Sequence, residues 1–332
     1  MTAQSKRDIA GSTWLIVGGA GYIGSHVVEL FNQSNIRCVV LDNLSLGKRV
    51  RVGQDVPFIK ADCALNENLV LELSTFEITG MIHLAGLKQA RESIRNPLLY
   101  WENNIDSLIG ALKLREQLRI PHFLFSSSCS VYGSAGKVDD SSILKPISPY
   151  GETKKISEEI IASIAKIQNF NYGFLRYFNV IGSSDFQDAY DFALECLVPN
   201  FSRRISRSES LTIYGGKFDT SDGTALRDYV DVRDIANAHL LGAHALVTSS
   251  ENWIVNVSTG RPATVLEICN ILIAASGRKV EIIIGDAVDG DPEKIWAEPS
   301  KKLLDWGWNP QFSLVDSIQS HWNNYILSEK LN

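Results

Sequence analysis

Six short apolar runs recur through the first 180 residues, with amphipathic stretches between them. "WLIV" (14–17), "CVVLD" (38–42), "PFIK" (57–60), "MIHLA" (81–85), "HFLFS" (122–126) and "YGFLRYF" (172–178) are rich in β-branched and aromatic residues. A strand with one wet face alternates apolar and polar residues, whereas a strand apolar at nearly every position is covered on both faces. Between the runs lie helical patterns at residues 22–33, 66–74 and 97–118, and a further helix opens at Tyr150. Alternation of this kind requires right-handed crossovers and predicts an α/β fold built on a doubly wound parallel sheet.

Beyond residue 180 the rhythm lapses. The polar stretch "GSSDFQDAYDF" precedes short elements that do not repeat it, and no Pro- or Ser-rich linker separates the halves. The expected organisation is a sheet domain over residues 12–180 and a smaller lobe over 181–332, with some chain crossing back. In such sheets ligands bind in the crevice outside the carboxyl ends of the strands. The 332 residues are 45% hydrophobic and 21% charged, as in ordinary globular chains, and carry a net charge of −6. That charge argues against nucleic acid or an anionic membrane as partner. No apolar run approaches the roughly 20 residues of a membrane span, and the polar start does not read as a signal peptide. The five cysteines are odd in number and widely spaced, without a Cys-x-x-Cys pair, and the six histidines show no ligand spacing. Reduced thiols in a cytoplasmic protein and no bound metal are the expectations.

"GGAGYIG" follows the first strand directly and opens the first helix, with Gly18, Gly21 and Gly24 at Gly-x-x-Gly-x-x-Gly spacing. Missing side chains let a pyrophosphate approach the backbone and the helix start, where free N–H groups and the dipole favour anions. Asp42 ends the second strand, where a carboxylate accepts both adenosine ribose hydroxyls and repels a 2′-phosphate. The combination predicts a Rossmann-type NAD site, with Lys48 and Arg49 the nearby groups that favour the phosphorylated cofactor. Tyr150 and Lys154 share a helix face one turn apart, beside the strand end carrying Ser126, Ser127 and Ser128. An ammonium and a helix start near a phenol are expected to lower its ordinary pKa of about 10. Hydroxyl, phenol and ammonium beside a nicotinamide make an alcohol-oxidising site.

From residue 14 to about 322 the sequence resembles the extended short-chain dehydrogenase/reductase family, and within it the UDP-glucose 4-epimerases. The resemblance rests on "GGAGYIGSH", "LDNLS", "HLAGLKQARES", "SSSCSVYG", "SPYGETK", "LRYFN" and "DGTALRDYVDVRDIA". It implies Ser128 and Tyr150 as the proton-transfer pair, with Lys154 on the nicotinamide ribose and tuning Tyr150. It implies cofactor contacts at Gly18, Gly21, Tyr22, Ile23, Gly24, Asp42, Asn43, Asp62, Cys63, Ala85, Lys88, Asn103 and Tyr177. It places Asn179, Leu197, Thr212, Tyr214, Arg227 and Asp291 along a UDP-sugar, and Ile295 where side-chain bulk limits groups on sugar C2. The implied reaction removes the C4 proton and hydride, turns the 4-keto sugar over, and returns hydride to its opposite face. NAD is thereby regenerated in every cycle.

The chain departs from the family pattern mainly in its second half. Val17 replaces the usual Thr, Val288 stands where an Arg pairs with the substrate diphosphate, and Cys196 replaces an Asn or His. The segment before Cys196 also lacks the usual acidic-Gly insertion. Two other readings compete: another sugar-nucleotide oxidoreductase of the same family, and a non-catalytic NAD-binding module. Dehydratases need an Asp-Glu pair where Cys129 and Ser130 stand, which disfavours elimination. The helices at 97–118 and 154–168 carry apolar faces wider than one stripe, and the resemblance implies a homodimer through a four-helix interface.

Overall fold

The computed structural model describes residues 9–63, 66–249, 251–287 and 292–331. The first half runs β1 (Thr13–Val17), α1 (Tyr22–Gln33), β2 (Arg37–Leu41), β3 (Phe58–Ile59), α2 (Glu67–Ser74), β4 (Ile78–His83), α3 (Ala90–Arg95), α4 (Pro97–Gln117), β5 (His122–Ser128), β6 (Gly136–Val138), α5 (Pro149–Gln168) and β7 (Asn171–Tyr177). The second half adds β8 (Asn179–Ile181), α6 (Leu197–Ser206), β9 (Leu211–Tyr214), β10 (Leu226–Arg227), β11 (Tyr229–Asp231), α7 (Val232–Ser249), β12 (Trp253–Val257), β13 (Ala263–Thr264), α8 (Val265–Ser276), β14 (Ile282–Gly285), β15 (Lys294–Ala297), α9 (Lys301–Asp305) and α10 (Leu314–Leu331).

The main sheet has seven parallel strands in the order β12-β7-β5-β4-β1-β2-β3. The strand order reverses at β1, between β4 and β2, so the binding crevice opens at the carboxyl ends of β1 and β4. Both faces are covered. Trp14 and Ile16 of β1 join one buried core with residues of α1 and α7, while Leu15 and Val17 join another with residues of α2, α4 and α5. A third core, containing Phe201, Ile205, Ile268, Leu272, Ile318 and Trp322, holds α6, α8 and α10 together.

Three local signals set the ends of these elements. The Asn66 and Ser148 side chains cap α2 and α5 by accepting from Leu69 N–H at 2.8 Å and Gly151 N–H at 3.2 Å. Pro149 opens α5, where its missing N–H costs nothing. Asn169, in the left-handed region at φ 51°, ends it.

The expected boundary after residue 180 falls inside β8, and the chain crosses it in both directions. The seventh strand of the main sheet, β12, comes from the second half and pairs with β7 from Trp253↔Gly173 to Val257↔Tyr177. Conversely, β6 leaves the first half to pair with β15 in a four-stranded sheet of order β13-β10-β15-β6. All five cysteines are free thiols. Among the described residues no helix is long and apolar enough to cross a membrane.

Four histidines are packed away from water. Burial holds His26, His239 and His321 down at about 4 and His83 at about 3. Each is neutral in the folded protein at pH 6, while its unfolded counterpart titrates near 6.5. Below that value the unfolded chain binds protons that the native state refuses, so these groups subtract stability as pH falls from about 6.5 toward 4. Denaturant unfolding across this window should show stability falling by several kcal/mol in sum. A stability constant down to pH 4.5 would contradict the burial assigned to these rings.

Candidate active site

The first βα turn leaves no space for side chains. Gly18 adopts φ 83°, and a Cβ there would lie 2.6 Å from the Ala85 nitrogen at the end of β4. A Cβ on Gly24 would come within 2.3 Å of the Gly18 carbonyl oxygen. The α1 N-terminus has neither a side-chain cap at Gly21 nor an acidic residue in its first turn, so its N–H groups and dipole face the crevice. At the end of β2, Asp42 accepts from Ala20 N–H at 2.9 Å through Oδ2 and from Leu44 N–H at 2.8 Å through Oδ1. The carboxylate is thus fixed beside the glycine turn, with lone pairs remaining for a diol. Asn43 donates to Asp62 at 2.5 Å, both exposed at the same sheet edge, and Cys63 is buried with its thiol pushed up to about 12.

The two basic side chains that could welcome a 2′-phosphate are engaged elsewhere. Lys48 pairs with Asp188 at 2.8 Å, and Arg49 donates to the Val52 carbonyl at 2.5 Å. Glycine cradle, bare helix start and ribose-directed carboxylate together fit NAD.

The same crevice continues into a cavity of about 1170 Å³ walled by both halves of the chain. Gly18, Gly21, Tyr22, Ile23, Gly24 and Lys88 line its cofactor end, Ser128, Tyr150, Lys154 and Tyr177 its centre, and Asn179, Leu197, Thr212, Tyr214, Arg227 and Ile295 its far wall. Asn103 is exposed on α4 and does not line the cavity. Its neighbour Asn104 is buried, accepting from Leu87 N–H at 2.7 Å and donating to Thr153 at 3.1 Å. Val288 and Asp291 lie outside the described residues.

At the centre, the register of β5 and β7 sets Ser128 beside Tyr177. Lys154 Nζ donates to the Ser126 carbonyl at 2.8 Å and lies 6.0 Å from the Tyr150 ring centroid. Tyr150 N–H donates to Ser93 at 3.1 Å, and its ring packs edge-on against Tyr100 at 6.4 Å. Burial pushes the Tyr150 phenol up to about 12, although its hydrogen bond with Ser128 and the nearby Lys88 charge pull the other way. This reverses the sequence expectation. The Lys154 ammonium is turned toward a carbonyl, and loss of water outweighs the nearby positive charge. Burial also lowers Lys154, to about 8.

Tyr177 is held from behind. His239 Nδ1 lies 3.0 Å from the Ile235 carbonyl, so that nitrogen carries the proton, and Nε2 accepts from the Tyr177 hydroxyl at 2.6 Å. Sequence reasoning missed His239, since the partners stand 62 residues apart. It also missed Asp191, which pairs with Lys88 at 2.7 Å across the cavity.

Residues 14–258 match the NAD-dependent epimerase/dehydratase family. A UDP-glucose 4-epimerase of Lactobacillus helveticus is 35% identical over 310 residues, covering 92% of this chain and 94% of that protein. The UDP-glucose 4-epimerase structure from Stenotrophomonas maltophilia, with NAD and formylated UDP-arabinopyranose bound, superposes at TM-score 0.90 and 27% identity, covering 97% of this chain and 100% of its own. The UDP-Glc/GlcNAc 4-epimerase of Campylobacter jejuni superposes at TM-score 0.82 and 29% identity, covering 96% and 100% respectively.

Asp42→Asn tests the cofactor end, because it keeps an acceptor for the glycine turn while removing the charge. The variant should melt within a few degrees of the parent yet hold NAD at least about tenfold more weakly, as for a lost charge-assisted hydrogen bond. Unchanged cofactor retention after purification would remove Asp42 from the site.

Proposed function

The chain belongs to the NAD-dependent epimerase/dehydratase family, and from that premise we propose that it is an NAD-dependent 4-epimerase of UDP-hexoses. The observation that carries the reading is the convergence of Ser128, Tyr150 and Lys154 in one cavity, between the dinucleotide cradle and the second-half wall. NAD, when bound, accepts and returns the C4 hydride and adds a positive charge near the phenol. Tyr150 exchanges the C4 hydroxyl proton, and Ser128 shares that hydrogen bond. With its pKa raised to about 12, the phenol stays protonated near neutrality and so carries the proton that the C4 oxygen takes back, while every positive charge brought beside it eases its ionisation for the forward step. Lys154, anchored to the Ser126 carbonyl and 6.0 Å from the Tyr150 ring centroid, would hold the cofactor ribose beside the phenol.

Elimination is disfavoured. Cys129, where a dehydratase would carry an acid, is buried and pushed up to about 12, so it neither donates nor accepts protons near neutrality. Free thiols support a cytoplasmic setting. A second copy of the chain fits the α4–α5 face, where Leu98, Leu99 and Ile167 are exposed and Trp101, Ile105, Ile156 and Ile160 are half-buried. The division into a sheet domain and a substrate lobe near residue 180 belongs to this reading: one half holds NAD and the other the nucleotide sugar.

Tyr150→Phe should retain NAD and lose at least about 100-fold in turnover of UDP-galactose. Near-normal turnover would remove the phenol from proton transfer. Ile295, buried in β15 and lining the cavity, is smaller than an aromatic wall and leaves room at sugar C2. Measurable 4-epimerisation of UDP-N-acetylglucosamine is therefore expected alongside that of UDP-glucose. Good UDP-glucose turnover with none of the N-acetyl substrate would place Ile295 elsewhere.

A further inference from the structure

Tyr177 lines the centre of the cavity, yet its hydroxyl is spent on a residue that does not line it. That residue, His239, is fully buried in α7, and the two rings lie 5.5 Å apart at 51°. His239 Nδ1–H is committed to the Ile235 carbonyl one turn back on the same helix, so Nε2 can only accept. The helix is itself pinned, because Trp308 donates to the Asp234 carbonyl at 2.9 Å and Gln311 N–H to the Asp234 carboxylate at 3.0 Å. The Tyr177 phenol also meets the Ser126 hydroxyl, and the Ser126 carbonyl accepts from Lys154 at 2.8 Å. A continuous polar path therefore joins α7 to Lys154 through the residue at the cavity's centre.

We propose that His239 is a positioning residue for the hydride-transfer end of the site: by accepting the Tyr177 hydroxyl it locks that ring beside Ser128, as a fixed wall for the nicotinamide. This role rests on the 4-epimerase reading of the site and deepens it. The backbone of β7 holds Tyr177 at its Cα, and His239 holds it at the far end of the ring, so neither side-chain torsion is left to turn. A buried hydroxyl deprived of its acceptor is costly and seeks another. Ser128 stands directly across the register from Tyr177 and already shares a hydrogen bond with Tyr150. A second phenol swung toward Ser128 would compete there with the substrate oxygen.

An imidazole suits this task. Burial holds His239 at about 4, so near neutrality its ring is uncharged and Nε2 keeps the lone pair that an imidazolium would lack. Two apolar side chains could fill the same volume, but shape alone leaves a ring free to tilt, whereas a hydroxyl–imidazole bond also fixes its direction.

Turnover of UDP-galactose and the affinity for NAD, measured on the same preparations, test the role. His239→Leu should lower kcat about tenfold, leave KM within about twofold and hold NAD about tenfold more weakly, as for one lost buried hydrogen bond. His239→Gln, whose amide oxygen can accept in place of Nε2, should recover most of both losses; a glutamine as poor as leucine overturns the proposal. Tyr177→Phe should lose about as much as His239→Leu, and the double variant no more than either, since both act through one bond. Losses that multiply to about a hundredfold in the double variant show that His239 acts apart from Tyr177 and overturn it. Parental kcat and NAD affinity in a folded His239→Leu protein overturn it as well. Should His239→Leu fail to fold, the double variant leaves neither a buried donor nor a buried acceptor and is compared with Tyr177→Phe: equal kcat supports the role, and a further tenfold loss of about that size overturns it. NAD affinities that follow this pattern in a protein whose parent epimerises no UDP-hexose leave the positioning role standing and remove the proposed reaction.

Discussion

The ion pair between Glu158 of α5 and Arg176 of β7 fixes the helix that carries Tyr150 and Lys154 to the sheet. Arg176 donates to both carboxylate oxygens, at 2.9 and 2.6 Å, with side-chain exposures of only 3% and 5%. The same carboxylate accepts from Ser127 of β5 at 2.5 Å, and Arg176 also donates to the Tyr132 hydroxyl at 2.8 Å. Helix, two strands and the turn after β5 therefore meet at one buried point. Tyr150 and Lys154 lie two turns and one turn before Glu158, so a shift of that point would carry both away from Ser128. Breaking such a pair costs about 3–5 kcal/mol, because a buried charge is left uncompensated. The site's geometry is thus set one layer beneath the cavity surface.

The site trades stability against reactivity. Burial raises the Tyr150 phenol to about 12 and lowers the Lys154 ammonium to about 8, so each is displaced toward its neutral form. For Lys154 the unfolded chain holds its proton up to about 10.4. Between pH 8 and that value the unfolded state binds more protons, and the contribution of this group to stability rises with pH. At neutral pH the protein carries the full cost of a buried ammonium, offset in part by the Ser126 carbonyl and by the charge of Glu158. A solvated lysine would remove that cost, but it would neither be anchored nor act strongly on a neighbouring charge across water.

What was readable in the sequence was local. The bounds expected for the first helix, residues 22–33, coincide with α1, because its pattern starts at a glycine turn and stops where periodicity ends. The expected strands needed one or two residues added or removed at their ends, except that β4 starts three residues earlier than expected and stops two earlier. The seventh strand was not readable as part of the sheet, because "WIVNV" pairs with β7 across some 80 intervening residues and no nearby motif marks the pairing. The candidate site divides in the same way. Gly18, Tyr150 and Lys154 sit in short motifs whose spacing has physical meaning. The contacts that hold them, Glu158–Arg176 and Tyr177–His239, join residues from separate elements. The direction of the Tyr150 shift was misread because spacing reports the proximity of a charge but says nothing of how much water has been removed.

Arg227 illustrates how far a matched position constrains a role. It lines the cavity where the resemblance places it along a UDP-sugar, yet its guanidinium donates to the main-chain carbonyls of Leu226, Pro292 and Glu293. Three of five N–H donors are thereby committed to joining β10 to the segment that leads into β15. Its hydrogen-bonding capacity toward a phosphate is correspondingly reduced, while its charge, 6% exposed in a partly desolvated wall, still acts over several ångströms. Arg227 is therefore tied to the backbone, and the carbonyls it binds fix the strand that presents Ile295 to the cavity.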